Sequence, residues 1–379
     1  MASFRNAVMA KEKISPKVIT LPEVVAIGVG FANPNRPAKG AGINVYTLKN
    51  LSKSKISSLH AAISSTIRAT GFNTNVPIRV IPSGMFRATA PEISSEKPRL
   101  TQIYRNRIRP VPGGVSIGKT MPNSTGTAGI NVVRGSQLFI FGNNHVLIKN
   151  NSTEISEIIQ PGPADNGVSP RDRVGYASAF VPLQRMPAVN YVDAAIARPL
   201  TNNLLNPRYL ATPFQYIVIP GYFANYPVGM KVKKTGRRTG FTTGVVESIN
   251  VTQTAIYDSL PQLGVVLFEN QTVIRSQDGR PTATGGDSGS VWLDQESNFA
   301  VSCTYAASED GLEVATFPIV FALQRFQATI ARPVGSNKFK AGLVKKLPMK
   351  DKFAYVKPLT KAQLDSIKVV RIKAPKSLS

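Results

Sequence analysis

The sequence predicts a mainly β protein in three parts: a small α+β unit over residues 1–99, a barrel or sandwich of short strands over 100–335, and a basic extension over 336–379. Three observations lead there. In the middle, short apolar runs such as Leu138 to Phe141, Val192 to Ala197, Tyr216 to Pro220, Gly244 to Ile249 and Gly264 to Phe268 are separated by Gly, Pro and Asn clusters. Ahead of them the apolar spacing changes from strand-like to helical and back. Behind them the chain turns basic, with Lys345, Lys346, Lys350, Lys352, Lys357 and Lys361.

The first unit reads as β-β-α-β. Val18 to Phe31 and Gly42 to Tyr46 are β-branched and apolar, and Asn33 to Gly40 between them is turn chemistry, so a hairpin is expected. Leu51, Ile56, Leu59, Ile63 and Ile67 then fall on one helical face, with Gly71 placed to end the helix. Pro77 to Ile81 gives the last strand, and Pro91 to Arg109 reads as a linker. In the extension, Leu359 to Val370 fits a short helix.

Length and composition limit the function classes. The 379 residues include 28 Pro and 29 Gly, and no apolar run approaches the roughly 20 residues that span a bilayer. The first residues lack the apolar stretch of about 7–15 that a secretory signal needs. The only cysteine, Cys303, excludes an intramolecular disulfide and reads as a small buried hydrophobe. Together these give the expectation of a cytoplasmic protein. The net charge of +25 raises nucleic acid or another acidic partner, but it divides as +10, +5 and +10 over the three parts. The flanks hold the charge, yet no Lys/Arg run there exceeds two and few aromatics interleave for base stacking.

The chemistry-bearing residues lie in the near-neutral middle. Gly285-Gly286-Asp287-Ser288-Gly289-Ser290 surrounds a serine with the flexible backbone needed to present a hydroxyl and aim N–H groups at a developing oxyanion. A serine needs a base, and the chain has two histidines. His60 sits among Ser and Ala on the expected helix and reads as solvated. His145 follows the apolar strand Phe139 to Phe141 and a Gly-Asn turn, which suits a base at a strand end. Asp193 is an acid inside Tyr191-Val192-Asp193-Ala194-Ala195-Ile196-Ala197, where an unpaired carboxylate would be costly, so it calls for a partner. Asp165 and Asp172 lie in Pro/Gly-rich loops as turn residues. His145, Asp193 and Ser288 are 48 and 95 residues apart, in the His, Asp, Ser order whose gaps are roughly 45 and 93 in the chymotrypsin triad.

Residues 105–330 resemble trypsin-like serine peptidases of the chymotrypsin superfamily, in particular disulfide-free bacterial members and the plant narrow-leaf type proteins. The resemblance rests on Arg109-Pro110-Val111-Pro112-Gly113-Gly114, Gly142-Asn143-Asn144-His145-Val146-Leu147, Ile159-Gln160-Pro161-Gly162-Pro163, Val192 to Ala197 and Lys234 to Gly244. It implies a chymotrypsin-like double six-stranded β-barrel, preceded by the small α+β domain, and an endopeptidase acting on protein or peptide without metal or cofactor. By the resemblance His145 is the general base, Asp193 its orienting carboxylate and Ser288 the nucleophile, while the N–H groups of Gly286 and Ser288 form the oxyanion hole. Asp287 is then a loop-stabilising residue. The specificity pocket is expected at Thr282 and along Tyr305, Ala306 and Ala307. Thr282 argues against a preference for basic residues and Glu309 for one. The alternative is a catalytically silent scaffold of the same fold, whose basic flanks bind nucleic acid or an acidic partner.

Overall fold

The computed structural model describes residues 1–71, 76–88, 99–121, 124–335 and 338–373. Residues 89–98, which include the first part of the expected linker, lie outside the described residues. No helix among them is long and apolar enough to cross a membrane.

The protein is mainly β, and its strands gather into two large sheets and one small one. In the first, six strands close on one another: Lys231–Gly236, Gly240–Ile256, Val265–Ser276, Glu313–Pro318, Ala300–Ala307 and Val291–Asp294. Each is hydrogen-bonded antiparallel to the next, and Val291–Asp294 returns to Lys231–Gly236. Val246, Phe268, Val273, Val291, Trp292, Tyr305 and Phe317 of these strands are fully buried in one apolar core that continues into the open sheet through Phe141. The second sheet is open. It runs from Thr125–Thr127 through Ser116–Lys119, Glu157–Ile159, Arg173–Phe180, Ala195–Pro199, Gln137–Gly142, Ile130–Arg134 and Thr329–Pro333 to Phe339–Ala341.

The amino-terminal unit opens with a helix, α1 (Phe4–Val18), that apolar spacing alone did not reveal. Ser3 caps it by accepting from the Asn6 N–H, and Ala7, Val8, Ala10, Ile14 and Val18 are buried. Strands β1 (Val24–Phe31) and β2 (Ala41–Thr47), helix α2 (Lys53–Ala69) and β3 (Ile78–Pro82) follow where the sequence places them, with the first strand starting later because α1 takes Val18. Gly71 ends α2 at φ +77°. His60 is exposed on α2.

This unit shares a sheet with the ring. β1 pairs antiparallel with the Gly240–Ile256 strand, Ala26 opposite Gln253 and Gly30 opposite Ser248. The approach is close enough that a Cβ on Gly30 would lie 2.3 Å from the Glu247 carbonyl oxygen. Buried polar groups stitch the seam: Lys11 donates to Thr252 Oγ1 at 2.7 Å, Asn44 to Ser248 Oγ at 2.8 Å, and Glu247 accepts from Arg79 and Arg275. Burial pushes the Lys11 ammonium down to about 8.

The extension adds edge pairings to both large sheets. Leu343–Lys345 runs parallel to Gly221–Phe223, a strand that pairs with the ring, and Val370–Arg371 pairs with Ala179 and Phe180 of the open sheet. The expected helix is present but shorter, Lys361–Ser366, opened by a capping box between Thr360 and Gln363.

Candidate active site

His145 lies on a single helical turn, Asn144–Leu147, directly after the Gln137–Gly142 strand. The neighbouring Ala195–Pro199 strand pairs with it, Ala195 opposite Gly142, which brings Asp193 beside the turn. His145 Nδ1 and Asp193 Oδ2 are 2.5 Å apart, with His145 2% exposed and Asp193 fully buried. The other carboxylate oxygen accepts from the Asn144 N–H at 2.7 Å, and Tyr257 donates to Oδ2 at 2.9 Å. Asn143 Nδ2 donates to the Asp193 carbonyl at 2.7 Å. The buried acid is thus held by donors on several sides, as a charge in an apolar strand requires. The Tyr257 ring also meets the His145 ring edge to face, centroids 5.5 Å apart, and burial raises its hydroxyl well above the usual range.

Ser288 is presented by the loop before Val291–Asp294. Gly286 and Gly289 have φ of +99° and +93°. A side chain at Gly289 would also place its Cβ 2.2 Å from the Thr127 carbonyl oxygen. The open sheet fastens this turn: Thr127 donates its N–H to the Ser288 carbonyl at 2.8 Å and its hydroxyl to the Gly286 carbonyl at 3.0 Å. Asp287 is fully buried and accepts from the N–H groups of Arg238, Thr239 and Thr284 and from the Thr239 hydroxyl, with Lys234 Nζ at 3.6 Å. It therefore braces the loop from inside.

The Ser288 hydroxyl points at another part of the chain. It donates to the Ala88 carbonyl at 2.8 Å, whereas His145 Nε2 is buried without a hydrogen-bond partner among the described residues. The structure thus bonds His145 to Asp193 and holds the Ser288 turn against the same sheet, but gives Ser288 a different acceptor.

Other site residues fall as follows. The Thr282 hydroxyl donates to the Thr243 carbonyl, and its own carbonyl accepts from Thr239 and Thr242. The Tyr305 ring is in the core, 4.5 Å from Phe268 and 6.4 Å from Phe317 between centroids. Ala307 exchanges backbone hydrogen bonds with Arg87, and Glu309 Oε1 accepts from the Met85 N–H. Asp165 and Asp172 do more than shape turns, since Asp165 pairs with Arg237 and Asp172 with Arg107 and Arg171. Cys303 is buried, 3.9 Å from Asn143 Nδ2, and burial raises its thiol. Among the described residues no three His, Cys, Asp or Glu side chains gather as a metal site needs.

Sequence reasoning missed three contacts here. Tyr257 reaches Asp193 from the end of the long Gly240–Ile256 strand, with no motif to mark it. Lys119 donates to the His145 carbonyl at 2.6 Å, and its burial lowers it to about 8. A lysine ending a buried strand was its only signal. Ala88 had none.

The sequence matches no family model and no curated protein. Among solved structures the chain is similar to Thermobifida fusca Protease A, at 20% identity and a TM-score of 0.42 over 59% of this chain and 99% of that one. It is also similar to Cellulomonas bogoriensis chymotrypsin, at 18% identity and 0.42 over 59% and 99%. A glutamic-acid-specific serine protease is similar at 21% identity and 0.41 over 58% and 100%.

Proposed function

We propose that this protein is a serine endopeptidase of the chymotrypsin-like class, with residues 100–335 as its catalytic domain, read as two six-stranded barrels. The observation that carries the reading is the His145 imidazole. Its Nδ1 is tied to a buried, donor-saturated Asp193, and its Nε2 has no described hydrogen-bond partner. An imidazole held in that orientation has one nitrogen left for a proton transfer.

In the proposed reaction Ser288 rotates from the Ala88 carbonyl to His145 and attacks the carbonyl carbon of a bound peptide. Its proton passes to His145 Nε2, while Asp193 stabilises the imidazolium without taking the proton. The N–H groups of Gly286 and Ser288 receive the developing oxyanion, an arrangement the positive φ of Gly286 permits. His145 then protonates the leaving amine, and water attacks the acyl-Ser288 ester with His145 again as base. Each step uses only groups of this chain, the peptide and water. Thr282 and Ala307 are assigned to the pocket and edge of the substrate cleft, and Tyr305 supports that wall from the core.

A serine-directed phosphonate should label the protein covalently, and Ser288→Ala should remove the label. His145→Ala should slow labelling by about 10⁴-fold while the far-ultraviolet spectrum is kept. Undiminished labelling of Ser288→Ala defeats the assignment.

A further inference from the structure

The segment that meets Ser288 is built into a slot. Arg87 donates its N–H to the Ala307 carbonyl at 3.0 Å and accepts from the Ala307 N–H at 3.1 Å, pairing antiparallel with the ring. On the other side Ala88 donates to the Ile256 carbonyl and Phe86 accepts from the Ile256 N–H, both at 2.9 Å. Residues 86–88 are therefore bridged on both sides, strand-like, between the end of Gly240–Ile256 and the end of Ala300–Ala307. Phe86 is fully buried and meets Tyr46 edge to face, Arg87 makes two hydrogen bonds to the Asp258 carboxylate, and Ala88 is 2% exposed against Ser288.

Without this strand, both walls would present unpaired backbone groups, Ala307 on one side and Ile256 on the other. Such edges bind extended peptide by strand addition, with side-chain selectivity from flanking groups. The occupant here belongs to the same chain and is tethered through β3, which gives it an effective concentration on the order of millimolar. A peptide in solution competes against that concentration.

We propose that the slot between Ile256 and Ala307 is a binding site for an extended peptide with a basic residue facing Asp258, and that residues 85–88 hold it closed as a tethered competitor. The proposal deepens the endopeptidase reading, on which it rests for calling that peptide a substrate. The Asp258 carboxylate that pairs with Arg87 supports the basic preference, while Glu309 adds an acceptor for the peptide backbone at Met85. The amino-terminal unit, joined to the ring by a whole strand pairing, is then a resident regulator rather than a loosely hung appendage.

The test separates binding from chemistry by placing Ser288→Ala in every protein used for binding. A fluorescent peptide of sequence 83–88 is titrated into the full chain carrying Ser288→Ala alone, and into the same chain with Arg87→Pro, which removes the N–H that Ala307 accepts. Affinity should rise at least tenfold in the second. Arg87→Glu, a partly exposed change that only weakens the Asp258 contact, should raise it less, and it decides the matter if the proline variant fails to fold. Adding Asp258→Lys to the opened chain should weaken binding about threefold and favour the peptide with Glu in place of Arg. Equal affinity in closed and opened chains, or no binding by a folded opened chain, overturns the slot. Phosphonate labelling of the opened chain with Ser288 retained reports on the endopeptidase reading separately: labelling without peptide binding removes the slot alone, and binding without labelling removes the chemistry alone.

Discussion

The two sides of the site are assembled differently. On the open-sheet side, His145 and Asp193 sit just after and just before two paired strands, and the Asn144 N–H and the imidazole hold the carboxylate. On the ring side, Ser288 sits on a glycine-bracketed turn held by Asp287, but its hydroxyl is directed by Ala88, 200 residues earlier in the chain. The difference teaches that the His145–Asp193 pair is preorganised by its own sheet, whereas the Ser288 hydroxyl is directed by a contact from a separate unit. A site built this way can be intact as a scaffold and closed as a catalyst.

The sharpest way to break that comparison is Asp193→Asn. If His145 depends on Asp193 for its tautomer, kcat should fall by roughly 10⁴ with little change in the melting midpoint. A loss under tenfold would mean that the imidazole is oriented by something else. Next comes the strap between the two sides, the buried pair of Asp165 and Arg237, both side chains at most 6% exposed. Asp165→Asn leaves the guanidinium buried without its counter-charge next to Gly286 and should cost about 3 kcal/mol in urea unfolding.

Within the ring, Glu313 offers a pH-dependent contrast. Burial above all, then the charges of Asp310 and Glu247, pushes its carboxyl up to about 7 from an ordinary 4.5. Between those values the unfolded chain has released the proton and the folded chain keeps it, so this group's contribution declines as pH rises from about 4.5 to about 7. The decline is at most about 3 kcal/mol, and Glu313→Gln should flatten it in melts followed against pH. The smallest effect is expected for Tyr257→Phe, which removes one donor from Asp193 across the two sides. A loss of about 1 kcal/mol in stability and a severalfold lower kcat/KM would fit a supporting hydrogen bond.

Much of the fold was legible residue by residue. The alternation of β1, β2, α2 and β3 and the short-strand middle follow from periodicity and turn chemistry, and the helix of the extension falls within its expected stretch but is shorter. α1 was missed because its mixture of Lys, Ser and Pro16 makes only a partial apolar stripe, whose burial against β1 and β2 is a tertiary fact. Asp287 was read as a loop residue, but the number of donors around it was not visible, since Arg238, Thr239 and Thr284 arrive from two segments.

The sequence by itself determined which residues are candidates for the proposed chemistry: one histidine at a strand end, one carboxylate in an apolar run, one serine among glycines, in an order and spacing that local patterns record. Only the tertiary structure decided what each of them touches. Contacts between Ser288 and Ala88, or Asp193 and Tyr257, join segments whose separation in the chain leaves no periodic or compositional trace. They exist because backbone edges and buried polar groups must find partners wherever the packed chain supplies them.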